Sequence, residues 1–242
     1  MATVTKHRIS KSTYIRSLQC LKSLYLYKYF YKDRDPLPEE RRMRFQAGHS
    51  VGKKAWSLFP GGVDLSPAHV SKYPEMIRYT ADLVAKQTPV LYEAAFIYDE
   101  VLAALDILVY NNGWHAYEVK SSVQISDTYL EDAALQHFII TSGGLELTDF
   151  SIIHLKKNHK EITGEESNDD LFQITSLLQE CRDKTAFVKE KIAAVKKTLA
   201  SPGIPKVDMS EHCTKPYDCD FQGFCKRQKA LLTAGQFKTL DM

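Results

Sequence analysis

Asp106 stands in a run that is otherwise apolar, VLAALDILV, and Glu118-Val119-Lys120 follows twelve residues later. A lone carboxylate in an apolar strand costs several kcal/mol unless it is paired or bound to a cation. Residues two apart in a strand share a face, so Glu118 and Lys120 project together. A tight turn between the two segments brings that face beside Asp106, and two carboxylates and an ammonium converge. Such a set can hold a hard divalent ion, Mg2+ or Mn2+, and leaves a lysine to orient a water or neutralise developing charge. Phosphodiester hydrolysis needs these parts. The plainer alternative is a buried Asp–Lys pair beside an exposed Glu.

The elements that must position these residues are legible in the periodicity. Residues 90–98, 101–109 and 114–120 read as three strands joined by Asp99-Glu100 and by Asn111-Asn112-Gly113. The middle strand is apolar on both faces, which predicts a sheet covered by helices on both sides. Turn lengths set the register. A two-residue turn at Asp99-Glu100 pairs Tyr98 with Val101 and puts Glu93 opposite Asp106. A three-residue loop at Asn111-Asn112-Gly113 pairs Tyr110 with Trp114 and puts Asp106 opposite Glu118. Directly opposed residues share a face with Cβ atoms about 5 Å apart. Glu93, Asp106 and Glu118 are therefore expected to form a row of three carboxylates, with Glu93 a metal ligand or a holder of Lys120.

Helices are expected at 12–31, capped by Ser10 or Ser12, and at about 39–58. Another follows the third strand, opened by Thr128 with Glu131 and closed by Gly143-Gly144. A fourth strand is expected at 150–155 and a polar loop at 158–170. A long helix at about 171–200 should bury the stripe Ile174, Leu178, Cys181, Val188, Ile192, Val195 and Leu199. The resulting class is α/β, a central mixed sheet flanked by helices.

Composition sets bounds on function without choosing one. The 242 residues are 44% hydrophobic and 26% charged, with a formal net charge of +2. This is ordinary for a globular protein and neither demands nor excludes nucleic acid. Basic clusters at Arg41, Arg42 and Arg44, at Lys53 and Lys54, at Lys156, Lys157 and Lys160, and at Lys226, Arg227 and Lys229 read as solvated surface. No apolar run is long enough to span a bilayer, so no membrane partner is expected. The opening MATVTKHRISKS lacks the apolar stretch of a signal peptide, which predicts a cytoplasmic protein.

From Tyr92-Glu93-Ala94-Ala95-Phe96, through Leu105-Asp106-Ile107-Leu108 and Glu118-Val119-Lys120-Ser121, to Asp132 and Gln136, the chain resembles the RecB-like branch of the PD-(D/E)XK nuclease superfamily. The likeness is strongest to CRISPR-associated RecB-type iron–sulfur exonucleases and their uncharacterised bacterial relatives, and runs from Ser10 to Cys225. It implies a restriction-endonuclease-like sheet and a single nuclease domain over 1–242 with its catalytic core at about 90–156. It also implies Mg2+ or Mn2+ held by Asp106, Glu118 and the Val119 carbonyl, with Gln136 contributing from the following helix. A motif histidine of the branch falls on Gly52 here, and His49, one turn earlier, is the candidate replacement ligand. A tyrosine that the branch favours falls on Ile140. The implied activity is a metal-dependent DNA nuclease acting on ends or single strands in defence, repair or recombination, with protein partners of such a complex. The alternative is a catalytically weak DNA-binding or adaptor protein that keeps the fold.

Five cysteines in a chain without an export signal point to metal or catalysis rather than disulfides. Three fall in the tail HCTKPYDCDFQGFC, at Cys213, Cys219 and Cys225, and Cys20 lies far upstream. By resemblance, this one-plus-three split implies a [4Fe–4S] cluster joining elements at about 10–30 and 205–228. Zn2+, with His212, is the rival, although the usual short Cys knuckle is missing. Uncoordinated thiols remain a third possibility. Cys181, on the apolar stripe, reads as core.

Overall fold

In the computed structural model, which describes residues 9–157 and 171–233, the apolar alternation of the middle of the chain forms a mixed seven-stranded sheet. The segment 158–170, with Lys160, and the side chain of Arg44 lie outside the described residues. The strands are β1 (Ile9–Ser10), β2 (Val63–Asp64), β3 (Val90–Tyr98), β4 (Val101–Tyr110), β5 (Trp114–Lys120), β6 (Leu147–Leu155) and β7 (Phe172–Ser176), in the order β2-β3-β4-β5-β6-β7. β3, β4 and β5 form an antiparallel meander, β5 runs parallel to β6, and β7 closes that edge antiparallel. β1 pairs parallel with the start of β4, Ile9 opposite Val101, and β2 pairs parallel with β3.

The two hairpin turns have the lengths that the sequence implies. Tyr98 pairs with Val101, and Asp99 and Glu100 both have positive φ, 49° and 63°, as a primed two-residue turn requires. Tyr110 pairs with Trp114 across the three-residue loop, where Gly113 sits at φ 140°, a backbone that disfavours any side chain.

Helices cover both faces. α1 (Lys11–Gln19), α2 (Leu21–Tyr29), α3 (Glu39–Ala55) and α4 (Tyr73–Ala85) precede the meander; α5 (Asp127–Ser142), α6 (Leu178–Asp183), α7 (Thr185–Ala200) and α8 (Gln222–Thr233) follow it. α5 packs on β3, β4 and β6. Val51 and Ala55 of α3 pack with Tyr92, Ile107, Ile153 and Phe172. None of the described helices is long and apolar enough to cross a membrane.

Three expectations are corrected. The helix expected over 12–31 is two helices, because Cys20 is extended (φ −163°, ψ 117°) and caps α2, its sulfur accepting from Ser23 N. Ser126, not Thr128, caps α5 by accepting from Tyr129 N. The single helix expected over about 171–200 is two, α6 and α7, broken at Lys184 and starting only at Leu178, since 172–176 form β7, an edge strand on β6. Ile174, counted into the helical stripe, is 46% exposed on β7. The stripe holds from Cys181 to Leu199, where Cys181, Val188, Ile192, Val195 and Leu199 are all buried.

The chain divides into two compact units, one of residues 1–11 and 43–188, the other of residues 12–42 and 189–242. The first holds the whole sheet. The second is helical, with Tyr14, Leu24, Leu26, Val195 and Phe221 in its core.

Candidate functional site

The sheet-bearing unit concentrates charge at one place. Glu118, 2% exposed, is saturated with donors: Oε1 accepts from Lys120 Nζ at 2.6 Å and from Lys11 Nζ at 2.7 Å, and Oε2 accepts from Gln136 Nε2 at 2.9 Å. Lys120 also donates to Asp132 Oδ2 at 2.5 Å and lies 5.2 Å from the Tyr129 ring centroid. Asp132 and Gln136 are four apart on α5, hence on one face, and Gln136 Nε2 reaches Asp132 Oδ1 at 3.4 Å. Asp106 Oδ2 accepts from Val119 N at 2.6 Å, so β5 addresses Asp106 with backbone and Glu118 with side chain.

The ladders set the row of acids. Tyr92 pairs with Ile107 and Ala94 with Leu105, bracketing Glu93 opposite Asp106. Ile107 pairs with Tyr117, and one step further along the same count stands Asp106 opposite Glu118. Glu93 itself has left-handed φ, 55°, and drops out of the pairing. A non-glycine residue in that region is strained by about 1–3 kcal/mol and marks a place where the surroundings dictate the backbone.

Environment splits the acids. Burial, then the charge of Glu118, raises Asp106 to about 8. Burial also acts on Glu118, but the Lys11 and Lys120 ammoniums outweigh it and hold the carboxyl well below its usual range. Burial raises Glu93, against the pull of Lys11. Lys120 is raised because Asp132 and Glu118 overcome its desolvation. Counted as ionised, four carboxylates (Glu93, Asp106, Glu118, Asp132) face two ammoniums (Lys11, Lys120), a balance of minus two. Gln136 Oε1 is a fully buried acceptor with no hydrogen-bond partner. A cradle of negative charge with an orphan acceptor suits a hydrated divalent cation. As the side chains stand, no three His, Cys, Asp or Glu among the described residues are grouped to hold a metal ion, and at Glu118 both oxygens are taken by other side chains.

His49 is not brought into this cluster. It is exposed on α3 and reaches Glu93 through charge. Val51 and Ala55 of that helix pack against Tyr92 and Ile107, whose neighbours Glu93 and Asp106 alternate to the opposite face of their strands. Ile140 is fully buried in α5.

Sequence reasoning missed Lys11. β1 brings it in: Ser10 pairs with Leu102, and Lys11 is the next residue, the first of α1. A cation there opposes the helix dipole. That misplacement was a signal that the ammonium has another partner.

The helical unit assembles the cysteines. Cys20, Cys213, Cys219 and Cys225 line one cavity with Lys22, Asp208 and His212. Burial raises the Cys20 and Cys225 thiols, and the charges of Cys213 and Cys219 raise both further. Hydrogen bonds hold the frame: Cys219 N donates to Cys213 O at 2.8 Å, Gln222 Nε2 to Cys213 O at 2.9 Å, and Gln19 Nε2 to His212 O at 2.8 Å. Beside them Asp220, its side chain 3% exposed, receives Arg16 at 2.9 Å, Arg34 at 2.7 Å and Arg41. Arg41 was expected on a solvated surface; it is an ion-pair partner instead. The Arg16 guanidinium also lies 4.3 Å from the Tyr27 ring centroid.

No family model matches the chain, and no curated protein matches it.

Proposed function

We propose that the protein is a divalent-metal-dependent DNA nuclease of the restriction-endonuclease-like PD-(D/E)XK kind. The observation that carries this reading is Glu118, buried between two lysines and Gln136 in a row of acids with Asp106 and Glu93. Asp106, Glu118 and the Val119 carbonyl would hold the ion. When bound, Mg2+ or Mn2+ supplies polarisation of the phosphate and a more acidic water. Lys120 is fixed between Glu118 and Asp132, where its ammonium can orient the attacking water or meet charge developing on the phosphate. Gln136 sets the rotamer of Glu118 from α5, and its free Oε1 is placed to accept a hydrogen bond inside the site. Incubation with labelled single- and double-stranded DNA and Mg2+ or Mn2+ tests the reading. Cleavage that needs the metal and ends with chelator is expected; intact DNA across both ions and both strand forms refutes it. The second reading, a DNA-binding or adaptor protein without turnover, is favoured by one observation: both Glu118 oxygens are satisfied by the chain itself. DNA binding without cleavage in that assay would select it.

For the cysteines we propose a [4Fe–4S] cluster held by Cys20, Cys213, Cys219 and Cys225, with Zn2+ the alternative. Support comes from the placement of all four on one cavity. Four thiols are the usual donor set for such a cluster, whose task here is structural. Anaerobically purified protein is expected to be brown and to contain iron and acid-labile sulfide. Cys20→Ser and Cys213→Ser should lose the colour and melt lower. Cys181→Ser should keep it, because Cys181 is a fully buried core residue of α6. Colourless protein with one equivalent of zinc would give the site to Zn2+.

A further inference from the structure

Lys11 brings a second ammonium to a carboxylate that already has one. Its Nζ is 2.7 Å from Glu118 Oε1 and 3.8 Å from Asp132 Oδ2. Lys120 Nζ stands on the same Glu118 oxygen at 2.6 Å and on Asp132 at 2.5 Å. Two ammoniums on one oxygen repel each other, and only a surplus of negative charge keeps both there. Glu93 and Asp132 supply that surplus; Asp132 and Glu118 are the leading charges acting on Lys11, and Lys11 in turn acts on Glu93.

The two lysines are not equivalent. Lys120 bridges two carboxylates at hydrogen-bond distance under the Tyr129 ring, and its side chain is 14% exposed. Lys11 has one close partner, its side chain is 29% exposed, and it enters on a two-residue strand outside the meander. A compact charge on a flexible four-carbon stem is readily moved when its single partner is claimed. Glu118 Oε2 is engaged by Gln136, so a divalent ion shared with Asp106 has to compete for Oε1.

We propose that Lys11 is a built-in counter-cation, which holds Glu118 Oε1 in the metal-free protein, yields it to a divalent ion, and then presents its ammonium to the phosphate of the nucleic acid. This rests on the reading of the acidic site as a metal-dependent nuclease site. Lys11 would thereby link loading of the ion to capture of an anionic substrate. A positively charged side chain is kept off the substrate path until the ion is in place, and the carboxylate row is never left uncompensated.

The test is Mn2+ binding in the absence of nucleic acid, read from the electron paramagnetic resonance of free Mn2+. Wild type, Lys11→Met and Lys11→Arg are compared, each first shown to be folded by circular dichroism. Lys11→Met is expected to bind Mn2+ about tenfold more tightly than wild type, because the competing charge is gone. Lys11→Arg is expected to bind no more tightly than wild type. In Ca2+, Lys11→Met should bind labelled single-stranded DNA severalfold more weakly. On the wild-type protein, acylation of Lys11, read by mass spectrometry, should rise severalfold when Mn2+ is added. Failure of wild type to bind Mn2+ at all would overturn the metal-site reading and this role with it. If wild type binds Mn2+, the role of Lys11 alone is overturned by Lys11→Met binding no tighter or by acylation that Mn2+ does not change.

Discussion

Asp106→Asn is expected to fold like wild type and to lose metal-dependent cleavage by more than about 100-fold, the usual cost of removing only a supporting residue of a metal site. The two halves of this result have separate causes. Burial and Glu118 raise Asp106 to about 8, so at neutral pH without metal it is a neutral acid accepting from Val119 N. An asparagine carbonyl of the same shape can accept that bond. The melting temperature should therefore stay within about 4 °C, the range of a 1 kcal/mol change in a chain of this size. Metal binding needs the anion, which the amide cannot supply. Glu118→Gln should behave oppositely on stability. It leaves two ammoniums buried on a neutral amide and should cost about 3–5 kcal/mol, as breaking a buried ion pair does. Urea unfolding and cleavage assays on both variants check this. Asp106→Asn cleaving at near wild-type rate would end the assignment. The pH dependence follows from the same shift. The folded-state pKa of Asp106 lies above the ordinary carboxyl value of about 4. Its contribution to stability is complete below that value and is lost as pH rises through about 8. The Asp106 contribution in metal-free wild type should be lost between about pH 4 and about 8, and Asp106→Asn should lose less over that range.

The second large effect is expected at Asp220. Asp220→Ala should destabilise the helical unit by about 3–5 kcal/mol, the cost of leaving buried charges without their partner. One carboxylate compensates Arg16, Arg34 and Arg41, whose side chains are 15%, 17% and 26% exposed. None of the three can shed its proton, so none can escape the penalty by neutralising. Melting followed by circular dichroism should fall by roughly 10 °C. Limited proteolysis should open the region 205–228 first. Asp220→Asn should fall between wild type and alanine, because its amide oxygen still accepts. A melting temperature within 2–3 °C of wild type for Asp220→Ala, a shift worth only about 1 kcal/mol, would show that the arginines find other partners.

How much could be read in advance depends on the range over which each feature is encoded. The β3–β4–β5 meander was legible because its turn chemistry is local. Asp99-Glu100 and Asn111-Asn112-Gly113 fix loop length, and loop length fixes which residues face one another. Glu118 and Lys120 followed from a period of two and Asp106 from being a lone carboxylate in an apolar strand, whereas Gln136 came only from the resemblance to RecB-like nucleases. The row reaching Glu93 came from counting, but its left-handed backbone did not, since no composition rule announces positive φ at a glutamate. Lys11 and the Arg16–Asp220 pair were illegible for a different reason. Their partners lie 107 and 204 residues away, beyond any local pattern. β7 was lost because five residues of edge strand, one of them an exposed isoleucine, join smoothly to the apolar period of the helix after it. The break at Cys20 is set by its extended backbone and its sulfur cap on α2, which an uninterrupted leucine spacing conceals.

The division of the chain into a sheet-bearing stretch enclosed by two halves of a helical unit also imposes an order of assembly on the ribosome. Strands β2 to β7 come from one continuous stretch, mostly neighbour to neighbour, and can close while synthesis continues. The helical unit cannot. Gln19 is 193 residues from His212, and Arg16 is 204 from Asp220, so α1 and α2 must wait, already made, for the tail to emerge. The entropic cost of closing so long a loop changes only slightly when the intervening chain is made longer or shorter, because it grows with the logarithm of length. Prior folding of the sheet shortens the effective loop far more, by replacing a flexible chain with a compact body. The acidic site can therefore exist on the nascent chain before the four thiols have met, and until translation passes Cys225 the upstream Cys20 remains a single accessible sulfur exposed to oxidation.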